Sequence, residues 1–82
     1  MDKTKYTNSE LRKIAKDYGY TEVKKQFCHG QLIFTNGKYF ISHDVDQHNG
    51  GFWKKAKTIA KLYSREARLG TYERNTEMRK GD

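Results

Sequence analysis

The hydrophobic pattern at the start of the chain predicts one amphipathic helix. Thr7 and Glu10 have the spacing of a capping box, in which each side chain accepts a hydrogen bond from the other residue's backbone N–H. Gly19 is a typical helix stop. Between them, apolar residues recur at helical spacing, at Leu11, Ile14, Ala15 and Tyr18.

The segment QLIFTNGKYFIS predicts a β-hairpin, because Asn36-Gly37 is a favoured two-residue turn between two β-prone runs. With that turn Phe34 would face Tyr39, and Leu32 would face Ile41, on the core side. The preceding YTEVKKQFCHG is ambiguous between a short helix and an irregular entry into a strand. If the second strand continues, period two places Val45 on the core side. The other face would then carry Asp44, Asp46 and His48, alongside Lys38 and Phe40.

After the break at Asn49-Gly50-Gly51, the pattern predicts a basic amphipathic helix from Phe52 to about Arg68. Its buried stripe would be Phe52, Ala56, Ile59, Ala60, Tyr63 and Ala67. The opposite face would carry Lys54, Lys57, Lys61, Arg65 and Arg68. RLGTYERN then reads as a third strand, and TEMRKGD as a frayed end or a short edge strand.

These elements predict an α+β fold: an N-terminal helix followed by a small antiparallel sheet of about three to four strands, with the basic amphipathic helix inserted before the last strand. The length of 82 residues allows one small domain, residues 1–82. The formal net charge of +7 favours an anionic partner, nucleic acid above all. No apolar run approaches the roughly 20 residues of a membrane span, and one cysteine excludes an internal disulfide.

Candidate chemistry concentrates in the run from Asp44 to Lys54. Asp44, Asp46 and His48 fit an acid/base cluster, a metal site or an ordinary polar turn, and the residues leave all three open. The glycine pair before the predicted helix would let backbone N–H groups approach a phosphate, with Lys54 one turn further on.

Several neighbouring residues have less specific roles. The basic stripe suits a nucleic-acid backbone better than solvation alone. We expect Cys28 to be a small buried residue and Trp53 to flank the site, and His29 could approach it through the fold. His43 could be an incidental surface residue or a second imidazole.

The chain resembles a known family in the stretches GYTEV, HGQLIF, GKYFIS, DVDQHNGGFWK and RLGTYE, which occur in the family's order and spacing. The family is novel toxin 21, the small C-terminal toxin modules of bacterial polymorphic toxins and contact-dependent growth inhibition effectors. The resemblance covers residues 11–82, and its most specific part is Asp-x-Asp-x-His-x-Gly-Gly-x-Trp-Lys. A looser similarity links the chain to the ribosome-cutting colicin nuclease domains. Val45 stands where their acid would be, so Asp44 or Asp46 must take that role.

The resemblance implies a ribonuclease that acts in the cytoplasm of a target bacterium after delivery as part of a larger secreted effector. It also implies an immunity protein that blocks the active site. Our own expectation is that the domain needs no cofactor, that its RNA substrate is tRNA first of all, and that the immunity protein is acidic. A host activating protein is left open. The family motif falls on His29, Asp44, Asp46, His48, Trp53, Lys54, Arg68, Thr71 and Tyr72.

We therefore expect metal-independent cleavage through attack of the ribose 2′-OH on the adjacent phosphate. His48 would act as base or acid, tuned by Asp44 or Asp46, while Lys54 and Arg68 hold the phosphate. Thr71 and Tyr72 would line the site. RNA would lie along the basic residues Lys38, Lys57, Lys61 and Arg65. The alternatives are a metal-dependent DNase that uses the Asp-x-Asp-x-His run, and a non-catalytic nucleic-acid-binding module.

Overall fold

The computed structural model of the protein describes residues 5–45, 51–64, 66–74, 76 and 79–81. Within these residues the chain forms two helices and six strands. They are α1 (Asn8–Asp17), β1 (Thr21–Cys28), β2 (Gln31–Thr35), β3 (Phe40–His43), β4 (Trp53–Ala56), α2 (Ile59–Leu62), β5 (Gly70–Tyr72) and β6 (Arg79–Gly81).

All six strands belong to one sheet, in the order of the sequence, and every neighbouring pair is antiparallel. The α+β class is confirmed. The sheet is larger than the three to four strands predicted, because the ambiguous segment before the hairpin is β1 and the tail contributes β6. A further strand that was not predicted, β4, occupies the first part of the predicted basic helix.

The helix α1 follows the prediction closely. Thr7 is the N-cap, and both hydrogen bonds of the capping box with Glu10 are present. Leu11 and Ala15 are buried under the helix. Gly19 follows its end with φ of 86°, a left-handed conformation that favours glycine.

The predicted hairpin joins β2 to β3, but with a different register. Phe34 pairs with Ile41, whereas a two-residue turn would have paired it with Tyr39. The connection is longer because Asn36 Oδ1 accepts from the N–H groups of Lys38 and Tyr39 and so closes a wider loop. A shift of two residues keeps every side chain on the predicted face.

The helix predicted from Phe52 to Arg68 is wrong. Residues 53–56 form β4, which lies between β3 and β5 and exchanges backbone hydrogen bonds with both. Helix α2 spans only four residues, with Thr58 as its N-cap. Ala60, Tyr63 and Ala67, predicted to be buried, are exposed. The basic residues of this segment therefore do not form one helical stripe.

The two faces of the sheet carry separate cores. On the first face, α1 packs over a cluster formed mainly by Leu11, Ala15, Tyr20, Leu32, Phe34, Ile41, Phe52 and Trp53. On the second face, α2 covers a smaller cluster of Cys28, Ile33, Ala56 and Leu62. Cys28 is thus a small buried residue, as predicted. No helix in the described ranges is long and apolar enough to cross a membrane.

Candidate functional site

The carbonyl oxygen of Phe52 closes the base of the segment that joins β3 to β4. It accepts a hydrogen bond of 2.9 Å from the Asp44 backbone N–H, and His43 Nδ1 lies 2.9 Å from the same oxygen. The Phe52 N–H in turn donates to Tyr72 O on β5 at 2.7 Å. The ends of the segment are therefore fixed to three strands. Asp46 and His48 belong to this segment and lie outside the described residues.

Asp44 is the one member of the acid–imidazole run that the structure describes. Strand β3 ends at His43, one residue before it, so the strand that would align Asp44, Asp46 and His48 does not persist. Asp44 is nevertheless buried, with 8% of its surface exposed. Val45, predicted on the core side, is half exposed because the pleat has ended.

Lys54 occupies the centre of a polar row on the α2 face. It pairs with Ser42 of β3 on one side and with Thr71 of β5 on the other. Directly paired residues on antiparallel strands project to the same face of the sheet. Lys54 is half-buried, while Ser42 and Thr71 are buried. The lysine is thus the most accessible group of this row.

The Cys28 thiol is buried on the α2 face. Burial raises the pKa of this thiol, and the positive charges of Lys54 and Arg68 partly oppose the rise. Of the two residues predicted to hold a phosphate, Lys54 lies in β4 and Arg68 lies half-buried in the connection before β5.

Trp53 and Tyr72 face the other side of the sheet. Trp53 is fully buried in the core under α1, and its indole N–H donates to Arg74 O at 2.9 Å. The expectation that Trp53 flanks the site is wrong, because the ring has no exposed face for nucleic acid. Tyr72 pairs with Trp53 and shares its face. It therefore lies across the sheet from Thr71 and cannot line the same surface.

A buried lysine that the sequence did not single out lies next to Tyr72. Lys55 Nζ is 4.6 Å from the Tyr72 ring centroid, 4.5 Å from the Tyr39 ring centroid and 3.0 Å from Thr76 O. Lys38 Nζ is 5.4 Å from the same Tyr39 ring centroid. The cations and rings alternate from the buried Lys55 to the exposed Lys38. Alternation of polar and apolar residues along β4 could have identified Lys55 as buried. The segment WKKA lacks that alternation, because Lys54 and Lys55 project to opposite faces of the sheet.

A family model described as Novel toxin 21 matches residues 13–80, most of the chain. The chain belongs to the novel toxin 21 family. No curated protein and no solved structure gave a significant match. This novel toxin 21 domain is a toxin domain of the polymorphic-toxin type. Such domains are delivered into target cells and are paired with an immunity protein.

The other predicted residues of the toxin domain are spread more widely. His29 occupies a tight turn between β1 and β2, with φ of 49°, and its ring stacks edge-on against Tyr63 at 5.3 Å. Lys57 and Lys61 are exposed on the connection after β4 and on α2. Arg65 lies outside the described residues. His29 is thus in contact with Tyr63, the residue after α2.

A metal site remains an alternative for the toxin domain. In the described part of the chain, no group of three or more His, Cys, Asp or Glu side chains converges. Asp46 and His48 are not among those residues, so this finding leaves the Asp-x-Asp-x-His alternative open.

Proposed function

We propose that this toxin domain is a metal-independent endoribonuclease that cleaves tRNA or another RNA in the cytoplasm of a target bacterium. The observation that carries the proposal is the position of Lys54, which is half-buried between Ser42 and Thr71 on one face of the sheet. This cationic site lies beside the base of the segment that contains Asp46 and His48. It supports a role in binding a phosphate next to an acid/base group.

The proposed reaction is a transesterification within the RNA strand. The ribose 2′ oxygen bonds to the adjacent phosphorus as the bond from phosphorus to the 5′ oxygen breaks, which gives a 2′,3′-cyclic phosphate. One group accepts the 2′-OH proton and another donates a proton to the leaving 5′ oxygen. We assign His48 to one of these transfers, with Asp44 or Asp46 to orient it. Lys54 and Arg68 stabilise charge on the phosphate oxygens.

The charge of the domain suits this substrate and its inhibitor. A net charge of +7 attracts RNA and also an acidic immunity protein, which we propose to cover the same cationic surface. The exposed Lys57, Lys61 and Lys38 would contact the RNA backbone away from the cleaved bond.

The test is incubation of the purified domain with tRNA, intact ribosomes and DNA, each with and without EDTA. We expect RNA to be cut in EDTA, with 2′,3′-cyclic phosphate ends, and DNA to survive because it lacks the 2′-OH. Loss of cleavage in EDTA, restored by magnesium or zinc, would support the metal-dependent nuclease instead. RNA binding without turnover would support the non-catalytic module.

Two variants test the assigned residues. His48→Ala should lower the cleavage rate by about two to four orders of magnitude, the usual contribution of a general acid or base. Lys54→Ala should lower it by about two to three orders, as for other groups that stabilise transition-state charge. Lys57→Ala, measured at saturating RNA, is the matched control, because it removes one exposed lysine whose backbone contact would then have little effect on the rate. A rate for Lys54→Ala equal to that of Lys57→Ala would remove Lys54 from the site.

A further inference from the structure

Two aromatic side chains, Tyr63 and His29, form an exposed aromatic pair at the end of α2. Tyr63 directly follows the helix and is 50% exposed. Its ring centroid lies 5.3 Å from that of His29, at an interplanar angle of 69°. The Tyr63 hydroxyl donates a hydrogen bond to the backbone carbonyl oxygen of Phe27. The Tyr63 ring is therefore held at its hydroxyl and by a neighbouring ring, while half of the residue stays open to solvent.

The hydroxyl bond gives Tyr63 a structural role, but the turn alone does not account for histidine at position 29. His29 and Gly30 form the two-residue turn between the paired residues Cys28 and Gln31, and their φ values are 49° and 82°. Turns with two positive φ values favour asparagine followed by glycine. The His29 side chain is exposed, so core packing does not account for it either. What the imidazole adds is ring surface beside Tyr63.

The aromatic pair lies on the same side of the sheet as Lys54. Cys28 directly precedes His29 and is buried under α2, with its Sγ 3.8 Å from the carbonyl oxygen of Leu62, the residue before Tyr63. Burial raises the pKa of this thiol, and the positive charge of Lys54 opposes the rise. The field of Lys54 therefore extends to the place where the two rings are attached. An RNA strand with one phosphate at Lys54 would bring a nearby nucleotide within reach of the pair.

Exposed lysines on the adjoining elements favour a polyanion as the ligand of the aromatic pair. Lys61 lies on α2, two residues before Tyr63. Lys24 and Lys25 lie on β1, the strand whose Phe27 carbonyl holds the Tyr63 hydroxyl. Proteins that bind single-stranded RNA combine cations that track the backbone with aromatic rings on which the bases stack. The surface around Tyr63 has both components.

We propose that the aromatic pair is a stacking site for one unpaired base of the RNA substrate, with the Tyr63 ring as the platform. The proposal rests on the proposed ribonuclease function, because it takes RNA as the ligand of this face. Stacking accepts any of the four bases, since each has a π surface. A base within a duplex is already stacked on its neighbours and cannot reach the ring. The site would therefore select unpaired RNA over duplex RNA rather than read a sequence.

A thermodynamic cycle between base and ring tests the stacking site without any cleavage. The probes are a short fluorescent 2′-O-methyl RNA strand, which lacks the attacking hydroxyl, and a set of strands in which one base at a time is removed. Anisotropy titrations give Kd for each strand. In the wild type we expect the loss of one particular base to weaken binding about five- to 150-fold, the range for one base stacked on an aromatic side chain.

Tyr63→Phe and Tyr63→Leu form a matched pair of variants, because both lose the hydrogen bond to Phe27 O and only the second loses the ring. Tyr63→Phe should keep the cost of removing that base, whereas Tyr63→Leu should bind the intact and the abasic strand equally. Tyr18→Leu is the control, since Tyr18 is an exposed tyrosine at the end of α1 and its loss should change no Kd. An equal cost of base removal in the wild type and in Tyr63→Leu would overturn the proposal.

NMR of the wild type provides a second measurement should the Tyr63 variants fold poorly. With ¹³C-labelled tyrosine, the ring current of a stacked base should shift the Tyr63 ring resonances upfield, and the strand that lacks this base should leave them unmoved. Equal shifts from both strands, or no binding of either, would overturn the stacking site. Shifts caused by the acidic immunity protein but not by RNA would assign this surface to the protein partner instead, and would overturn it too.

The outcomes for the stacking site and for the ribonuclease can be told apart. Cleavage of RNA without coupling between base and Tyr63 ring would remove the stacking site and leave the ribonuclease standing. Coupling in a domain that cuts no RNA would support the stacking site and remove the proposed function.

Discussion

Gly51 lies directly against the side chain of Thr71. A Cβ added to Gly51 would overlap Thr71 Cγ2 and lie 2.9 Å from Thr71 Cβ. Both residues are buried, and Thr71 is the β5 neighbour of Lys54. The close approach therefore holds the end of the Asp46–His48 segment against the strand that flanks the proposed phosphate site. Glycine is required here by space, because a Cβ would collide with the Thr71 side chain.

We predict that Gly51→Ala destabilises the domain by about 1–3 kcal/mol, the usual cost of added volume in a packed site. Either the segment or β5 must move to accommodate the new methyl group. Because the segment carries the proposed catalytic groups, cleavage of RNA should fall by more than the loss of stability explains. Urea unfolding and single-turnover cleavage, measured at a temperature where both variants are folded, test this.

The control is a double-mutant cycle with Thr71→Ser, which removes Cγ2. The double variant should recover part of the stability lost in Gly51→Ala, since the overlapping atom is gone while the contact with Cβ remains. If the two changes in unfolding free energy simply add, the new methyl group does not press on Thr71 Cγ2, and the backbone must have moved to avoid it.

The exposed lysines of the α2 region should contribute to RNA affinity through charge alone. Changing Lys57 and Lys61 together to glutamine should leave the thermal midpoint unchanged, because neither side chain is buried. If each contacts one phosphate of single-stranded RNA, the slope of log K against log salt should fall by about 1.4 in total. Fluorescence anisotropy across a salt series measures the slope, and an unchanged slope would place the RNA elsewhere.

We predict that Lys55 stabilises the fold. Lys55→Met keeps most of the side-chain length but removes the hydrogen bond to Thr76 O and two cation–π contacts. The loss should be about 1.5–3 kcal/mol, the range for a hydrogen bond to a charged group. For a domain of this size that corresponds to a midpoint lower by roughly 6–24 °C.

Lys38→Met is the matched control for Lys55, because Lys38 contacts the same Tyr39 ring from an exposed position. Its effect should be about 0.5 kcal/mol or less, as is usual for surface changes. If both variants lose the same free energy of unfolding, the burial of Lys55 contributes nothing to stability.

Stability should depend on pH through His43. Burial lowers the pKa of His43, the Phe52 carbonyl and Asp44 oppose the shift, and Lys54 adds to it. The unfolded chain therefore binds the proton more readily than the folded one. The contribution of this histidine is fully present above its unfolded pKa of about 6.5. It should be lost as pH falls from there toward the lower folded value.

Urea unfolding at several pH values between 5 and 8 measures this dependence. His43→Asn cannot titrate in this range, so its stability should vary less with pH than that of the wild type. The same decline in both proteins would assign the pH dependence to other groups.

The sequence by itself determined the features that depend on neighbours along the chain. The capping box of α1 needs only Thr7 and Glu10, and the position of the hairpin loop at Asn36, though not its length, was also predicted. The spacing of Asp44, Asp46 and His48 likewise marked the segment of interest, and the family resemblance followed from such local runs. The α+β class also followed, since it needs only the presence of a helix and a hairpin.

Only the tertiary structure decided what depends on strand partners. WKKA shows no alternation of polar and apolar residues, and it is a strand because β3 and β5 satisfy its backbone groups on both sides. That pairing buries Trp53 and separates Tyr72 from Thr71. It also buries the His43 side chain. His43 lies two residues after Ile41 and so shares its face of β3, but the sequence does not show which face is the core. Hydrogen bonds between residues far apart in sequence leave no local pattern, so their consequences for the site emerge only in the folded sheet.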